Sequence, residues 1–315
     1  MIALADIEAA RERIAGAAIR TPLVRLRTED APADIYLKLE NLQPISSFKI
    51  RGATNAVQLA PPSARAGGLV TASAGNMAQG VAWAARSLGV PATIAVPEHT
   101  PEAKLAAIAR LGGQVVKLPY DDWWNVIVTS HLDGAEGLFV HPVQDPAVMA
   151  GNGTIGLEIL EDLPAPDAVV IPYGGGGLAV GIASAIRALR PETKIFTAEP
   201  ETGAALAAAV AAGHPVDVDY RASFVDGAGS RRVLDSMWPL ITPLIDGALT
   251  VSVAEVAVAV RLMAERARVI AEGAGALALA AALSGQAGSG TVVCVVSGGN
   301  INLDKLAAIL TGATS

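Results

Sequence analysis

The chain of 315 residues carries a net charge of −7, and its 23 lysines and arginines are dispersed, so no basic stripe is offered to a nucleic-acid backbone. Mean hydropathy is +0.44 and 52% of residues are hydrophobic. Yet the longest uncharged stretches are interrupted (residues 168–186 by Pro172 and the consecutive glycines 174–177), which leaves no unbroken apolar span of ~20 residues for a membrane. A single cysteine, Cys294 in an apolar run, excludes an internal disulfide and a cysteine-based metal site and reads as a buried small hydrophobe.

In chain order, residues 1–14 alternate apolar and charged side chains at helical spacing, unlike a secretory leader, which predicts a soluble cytoplasmic protein. Strand-like runs follow at 35–40, 68–73, 92–97, 113–119, 137–142, 167–173, 194–200, 247–252 and 291–297. Between them lie Ala/Leu-rich segments of 3.6-type periodicity, for example 77–89, 101–113 and 253–273. That alternation predicts an α/β protein with mainly parallel sheets. The continuous runs at 169–171 and 292–296 fit strands covered on both faces. No repeat or low-complexity linker marks a domain boundary.

The most informative stretch is Leu37–Ala53, and within it Ser-Ser-Phe-Lys-Ile-Arg-Gly at 46–52. A Pro-containing turn at 41–46 precedes a helix start that Ser46 or Ser47 can cap, with Lys49 in the first turn. Positive helix-terminal N–H groups there disfavour the ammonium form. This segment resembles the signature around the Schiff-base lysine of fold-type II pyridoxal-phosphate enzymes, in the branch of threonine/serine dehydratases and serine racemases. The resemblance runs from about Ile7 to Leu310. It implies two three-layer α/β domains of the tryptophan synthase β kind, a large one from 1–53 and 145–315 and a small inserted one from 54–144. It also implies pyridoxal 5′-phosphate joined to Lys49 beside Phe48, an amino-acid substrate and a homodimer.

Three further motifs follow strand ends, where open α/β sheets place their ligands. Residues 70–80, VTASAGNMAQG, form a turn rich in N–H groups before a helix. The resemblance puts Asn76 on the cofactor's 3′-oxygen and Ser73, Ala74, Gly75 and Asn76 around the substrate carboxylate. Ala74 stands where serine racemases carry a serine that moves protons on the face opposite the lysine, which favours elimination over racemisation. Met77 stands where the family has histidine. Methionine neither titrates nor donates, which suggests a larger, more apolar β-substituent, an aryl one included; a neutral packing change is the alternative. Gly174 to Gly177 before a helix let backbone amides converge on a phosphate. In the family they and the Leu178 amide hold the cofactor phosphate, and no P-loop pattern is present. Ser297, in VVSGGN, matches the serine that faces the pyridine nitrogen, in place of the charged partner other pyridoxal enzymes use.

Lesser candidates are Gly227, in a segment that resembles the family's Asp-Gly run beside the cofactor ring, and Glu272, which matches a family glutamate near the active site but for which a helix-end carboxylate is the preferred reading. Glu199 matches one ligand of a divalent-cation site, but the expected acidic partner falls at Ala205, so that site is incomplete. Trp123 and Trp124 lie on a helix opened by Asp121 and Asp122, one of them in the core. The four histidines show no metal-ligand spacing. The resemblance therefore implies a dehydratase that forms a 2-oxo acid and ammonia. A racemase, a β-replacement enzyme and a non-catalytic ligand-binding relative are the alternatives. No regulatory domain is expected after the last helix.

Overall fold

A computed structural model describes residues 1–29 and 31–312. Its strands in chain order are β1 (Leu23–Arg25), β2 (Asp34–Leu39), β3 (Leu69–Ala72), β4 (Ala92–Pro97), β5 (Gly113–Leu118), β6 (Leu138–Phe139), β7 (Ala168–Pro172), β8 (Lys194–Pro200), β9 (Gly247–Val251) and β10 (Thr291–Val296). They form a six-stranded sheet, β1-β2-β10-β7-β8-β9, and a four-stranded sheet, β5-β4-β3-β6. Every pairing is parallel except β1 with β2. These are the two parallel-sheet α/β domains the sequence predicts.

The central strands of the large sheet are buried along nearly their whole length, as helices on both faces demand. Alternation divides their side chains between two cores. Val170, Val292, Cys294 and Val296 pack with Leu277 and Val256 on one face. Val169, Ile171, Val293 and Val295 pack with Ile155, Ile159 and Ile182 on the other. Cys294 is fully buried, as expected of a small hydrophobe. In the small sheet, Leu69, Ile94 and Val96 face the helix Asn76–Leu88, whereas Val70, Ala72 and Ala95 face Val126 and Leu132.

The structure departs from the sequence reading in three places. The strand expected over 137–142 pairs only at Leu138–Phe139, at the edge of the small sheet. The edge strand β1, three residues long, was too short to carry a periodic signal. The periodic run 253–273 is not one helix. It is regular over Val253–Leu262, widens into a π turn at Met263–Ala267 and breaks at Arg268 in the left-handed region. A new helix starts at Gly273. The break sets Glu272 at that helix's N-terminus rather than at the C-terminal end of a single long helix.

Two close approaches join the layers. A Cβ on Gly151 would come within 2.5 Å of the Arg51 carbonyl oxygen, and one on Gly52 within 2.7 Å of Val148 Cγ1. The helices Lys49–Leu59 and Pro146–Asp162 therefore pack backbone against backbone, which leaves Lys49 little freedom to shift.

Candidate active site

The carboxyl ends of β2, β3, β7 and β10 lead into segments that line one cleft of about 460 Å³. Phe48, Lys49, residues 73–77, residues 174–178, Gly227, Glu272 and Ser297 all contribute to its wall. The sequence motifs, far apart along the chain, are thus brought to one place.

The lysine segment is tied directly to the end of β10. Ser47 pairs with Gly298 in an isolated bridge, and the Phe48 N–H donates to the Ser297 carbonyl at 3.0 Å. Ser46 adopts a left-handed conformation at φ 56°, and the helix begins at Lys49 itself. Neither serine expected to cap it does so: the N-cap is Phe48 and no side chain caps the helix, although Ser47 Oγ accepts the Lys49 N–H at 3.3 Å. The Lys49 amine donates to the Pro142 carbonyl at 3.0 Å and lies 5.2 Å from the Phe48 ring centroid. Burial lowers its pKa to about 8. The cause is therefore desolvation and not the helix terminus invoked from sequence.

Sequence reasoning gave Arg51 no role, although it sits in the same motif. Its guanidinium is 1% exposed and grips two buried carboxylates, Glu40 (2.8 Å) and Glu158 (2.6 Å). Lys38 joins Glu158 at 2.6 Å, and Thr21 donates to Glu40 at 2.5 Å. An arginine buried this deeply needs acidic partners, and one of them, Glu40, lies only 11 residues before it.

After β3, Gly75 N–H donates to Ser73 Oγ at 3.2 Å, and Asn76 opens the helix Asn76–Leu88. The Asn76 side chain is held at both ends: Nδ2 donates to Glu272 Oε1 at 2.7 Å, and Oδ1 accepts from Asn300 at 2.8 Å. Glu272 is therefore a wall residue, not merely a helix-end carboxylate. Burial, first among its causes, raises its pKa to about 7. After β7, Gly176 takes φ 97° and the helix Gly177–Leu189 begins. Among the described residues, the N–H groups of 174–178 donate to no protein acceptor. These are the orphan donors of a helix start, and they suit an anion.

Other expectations resolve as follows. Met77 is buried and lines the cleft, as do Ala74 and Ser297. Glu199 is buried with its pKa raised to about 7, and its carboxylate accepts the Leu206 and Ala207 N–H groups at 3.0 and 2.9 Å. It caps the helix Ala205–Ala212. Trp123 lines the cleft, whereas Trp124 is exposed. His141 accepts two backbone N–H groups through Nδ1, a structural role. Ile127, Lys104, Asp226 and Asn300 also reach the cleft and were not read as wall residues from sequence, while Trp123 was given a substrate-facing role only as the less favoured alternative to a core one.

The donor set fits pyridoxal phosphate. Unsatisfied glycine N–H groups suit its phosphate, a buried amine of lowered pKa suits its aldehyde, and Ser297 and Asn76 supply neutral hydrogen-bonding groups for its ring. Fold and site together define a fold-type II pyridoxal-phosphate enzyme. The chain belongs to the pyridoxal-phosphate dependent enzyme family, whose model matches residues 14–298. It is 39% identical to an L-threonine ammonia-lyase of Thermotoga maritima, over 98% of this chain and 78% of that one. The structure is similar to maize serine racemase, with a TM-score of 0.89, 31% identity and coverage of 98% and 96%. It is also similar to the processed form of threonine deaminase isoform 2 from Solanum lycopersicum, with a TM-score of 0.88, 33% identity and coverage of 98% and 92%. Among the described residues, no helix is long and apolar enough to cross a membrane.

Proposed function

We propose that the chain is an ammonia-lyase that eliminates water from a β-hydroxy-α-amino acid and yields a 2-oxo acid and ammonia. The observation that carries this reading is the asymmetry of the cleft. One buried amine, Lys49, faces it, while the wall built from residues 73–77 offers Ala74 and Met77 where a second proton carrier would be needed. Elimination proceeds with one such group and racemisation needs two opposed ones.

In this reading Lys49, Phe48, Asn76, Gly174, Gly175, Gly176, Gly177, the Leu178 amide, Gly227 and Ser297 surround the cofactor. Ser73, Ala74, Gly75, Asn76 and Met77 surround the substrate. The pyridoxal group, when bound, supplies an electron-withdrawing ring that weakens the substrate Cα–H bond. Lys49 Nζ, with its pKa brought down to about 8 by burial, is deprotonated often enough near neutral pH to accept the α-proton. The free N–H groups at the start of the helix Asn76–Leu88 orient the substrate carboxylate. Arg51, anchored between Glu40 and Glu158, keeps the helix that carries Lys49 in register with the glycine turn.

Domain boundaries at 53/54 and 144/145, a cytoplasmic location and a homodimer, whose sedimentation would give the mass of two chains, complete the proposal. The decisive experiment is product analysis with L-threonine, L-serine and β-aryl serines on cofactor-saturated protein. Equimolar oxo acid and ammonia are expected. Lys49→Ala should abolish turnover, and borohydride should trap a pyridoxyl group at position 49 of the wild type only. A D-amino acid as main product would shift the reading to a racemase, and a requirement for a second nucleophile would shift it to β-replacement.

A further inference from the structure

We infer that the cleft selects a β-substituent that is apolar and larger than methyl, an aryl group being the class that fits. This rests on the elimination reading and deepens it. The wall contributed by the small domain is carbon-rich. Trp123 and Ile127, one turn apart on the helix Tyr120–Thr129, both line the cleft, together with Pro97 and Met77. The polar atom of the indole is already used: Trp123 Nε1–H donates to the Ala95 carbonyl at 3.1 Å. What Trp123 offers a ligand is therefore ring carbon, and Met77 offers a polarizable thioether, both of which favour aromatic neighbours.

Charged substituents are disfavoured by the same wall. Its one cation, Lys104, is paired with Asp226 at 2.6 Å, so a β-carboxylate would have to displace that partner. A β-ammonium would meet Lys49 and Lys104, and the two carboxylates that also line the cleft are already engaged, Asp226 by Lys104 and Glu272 by the Asn76 amide. No histidine lines the cleft among the described residues, so no imidazole is present to hydrogen-bond a small polar substituent.

The test compares kcat/KM of the holoenzyme for L-threo-3-phenylserine, L-threonine and L-serine, with Trp123→Ala and Trp123→Phe alongside. Each contact of methylene size in such a pocket discriminates by roughly 10- to 200-fold, so phenylserine should exceed threonine by at least about tenfold. Trp123→Ala should erase that preference, Trp123→Phe should restore it to within about threefold, and an unchanged cofactor absorbance would show that each variant is folded. Equal or better turnover of threonine overturns the inference. If no β-hydroxy amino acid yields an oxo acid, the elimination reading fails and the pocket is decided by binding alone. L-phenylalanine should then shift the cofactor absorbance at about tenfold lower concentration than L-alanine, and equal affinity for the two refutes the apolar pocket.

Discussion

Asn76 and Glu272, separated by 196 positions in sequence, meet in the cleft wall with Nδ2 2.7 Å from Oε1. The first lies at the start of a helix in the small domain, the second at the start of a helix in the large one. Their hydrogen bond is therefore a seam between domains as well as a fixture of the site. Asn300 holds the other end of the Asn76 amide, so that the side chain has one orientation with both its polar atoms engaged.

Burial of Glu272 and Glu199 raises both pKa values to about 7. Between about pH 4.5 and 7 the folded chain then binds more protons than the unfolded one, so stability falls as pH rises through that window. His141, whose pKa burial lowers, acts in the opposite sense, and Lys49 does so only above about pH 8. We expect the urea midpoint of the cofactor-free protein to decline from pH 5 to pH 7.5. The double variant Glu199→Gln, Glu272→Gln should be nearly flat, because glutamine does not titrate; at position 199 its single carbonyl oxygen leaves one of the two N–H donors without an acceptor, which lowers the midpoint by the same amount at every pH. A decline that persists undiminished in the double variant would assign it to other groups.

Arg51 is a stability residue with a functional consequence. Its removal leaves the fully buried Glu40 without a cation and Glu158 with Lys38 alone, a change that costs about 3–5 kcal/mol. Arg51→Ala should lower the urea midpoint by a matching amount and weaken cofactor binding, since the helix it anchors carries Lys49. Arg51→Lys should recover part of this, having charge without the bidentate fork. Equilibrium unfolding and cofactor titration of the two variants separate the effects.

The alternation of strands and helices was legible because parallel strands buried on both faces leave continuous Val/Ile runs, as at 292–296. The lysine, asparagine and glycine motifs were legible because each lies within one short segment. Residues that reach the site singly were not: Ile127 and Asn300 carry no local pattern that points to a cleft. Glu272 was placed only once the π turn and the left-handed Arg268 reset the helix register. The pKa of Lys49 had the right direction from sequence but the wrong cause, because burial depends on what packs around it rather than on its own helix.

Lys104 and Asp226 span the cleft, one on the helix Glu102–Arg110 and the other on the large-domain segment before Gly227, with side chains 38% and 56% exposed. An ion pair so exposed contributes about 1 kcal/mol at most and is screened by salt. Lys104→Ala should leave the urea midpoint almost unchanged. If the pair gates access, wild-type KM should change by roughly two- to fivefold as salt is raised, a factor that corresponds to about 1 kcal/mol, and the variant should show no such response. A salt-dependent KM that survives in Lys104→Ala would place the sensitivity elsewhere.

Within Gly174–Gly177, Gly176 is the position where the backbone itself, rather than only the space around it, opposes a side chain. Its φ of 97° lies where L residues are strained, and an added Cβ would sit 3.0 Å from Tyr173 Oη and 3.2 Å from Met237 Cε. A left-handed conformation costs a non-glycine residue roughly 1–2 kcal/mol. Relief of that strain would rotate the N–H groups of the turn away from their common focus. Gly176→Ala should therefore raise the dissociation constant for pyridoxal phosphate by at least about tenfold, the equivalent of 1.4 kcal/mol. Gly174→Ala, whose Cβ would meet only Ala228 Cα and the Gly227 carbonyl at 3.3 Å, should have a smaller effect. Inorganic phosphate provides the control. It should compete with the cofactor in wild type and lose that ability in Gly176→Ala, and unchanged competition would mean that the phosphate rests on other donors.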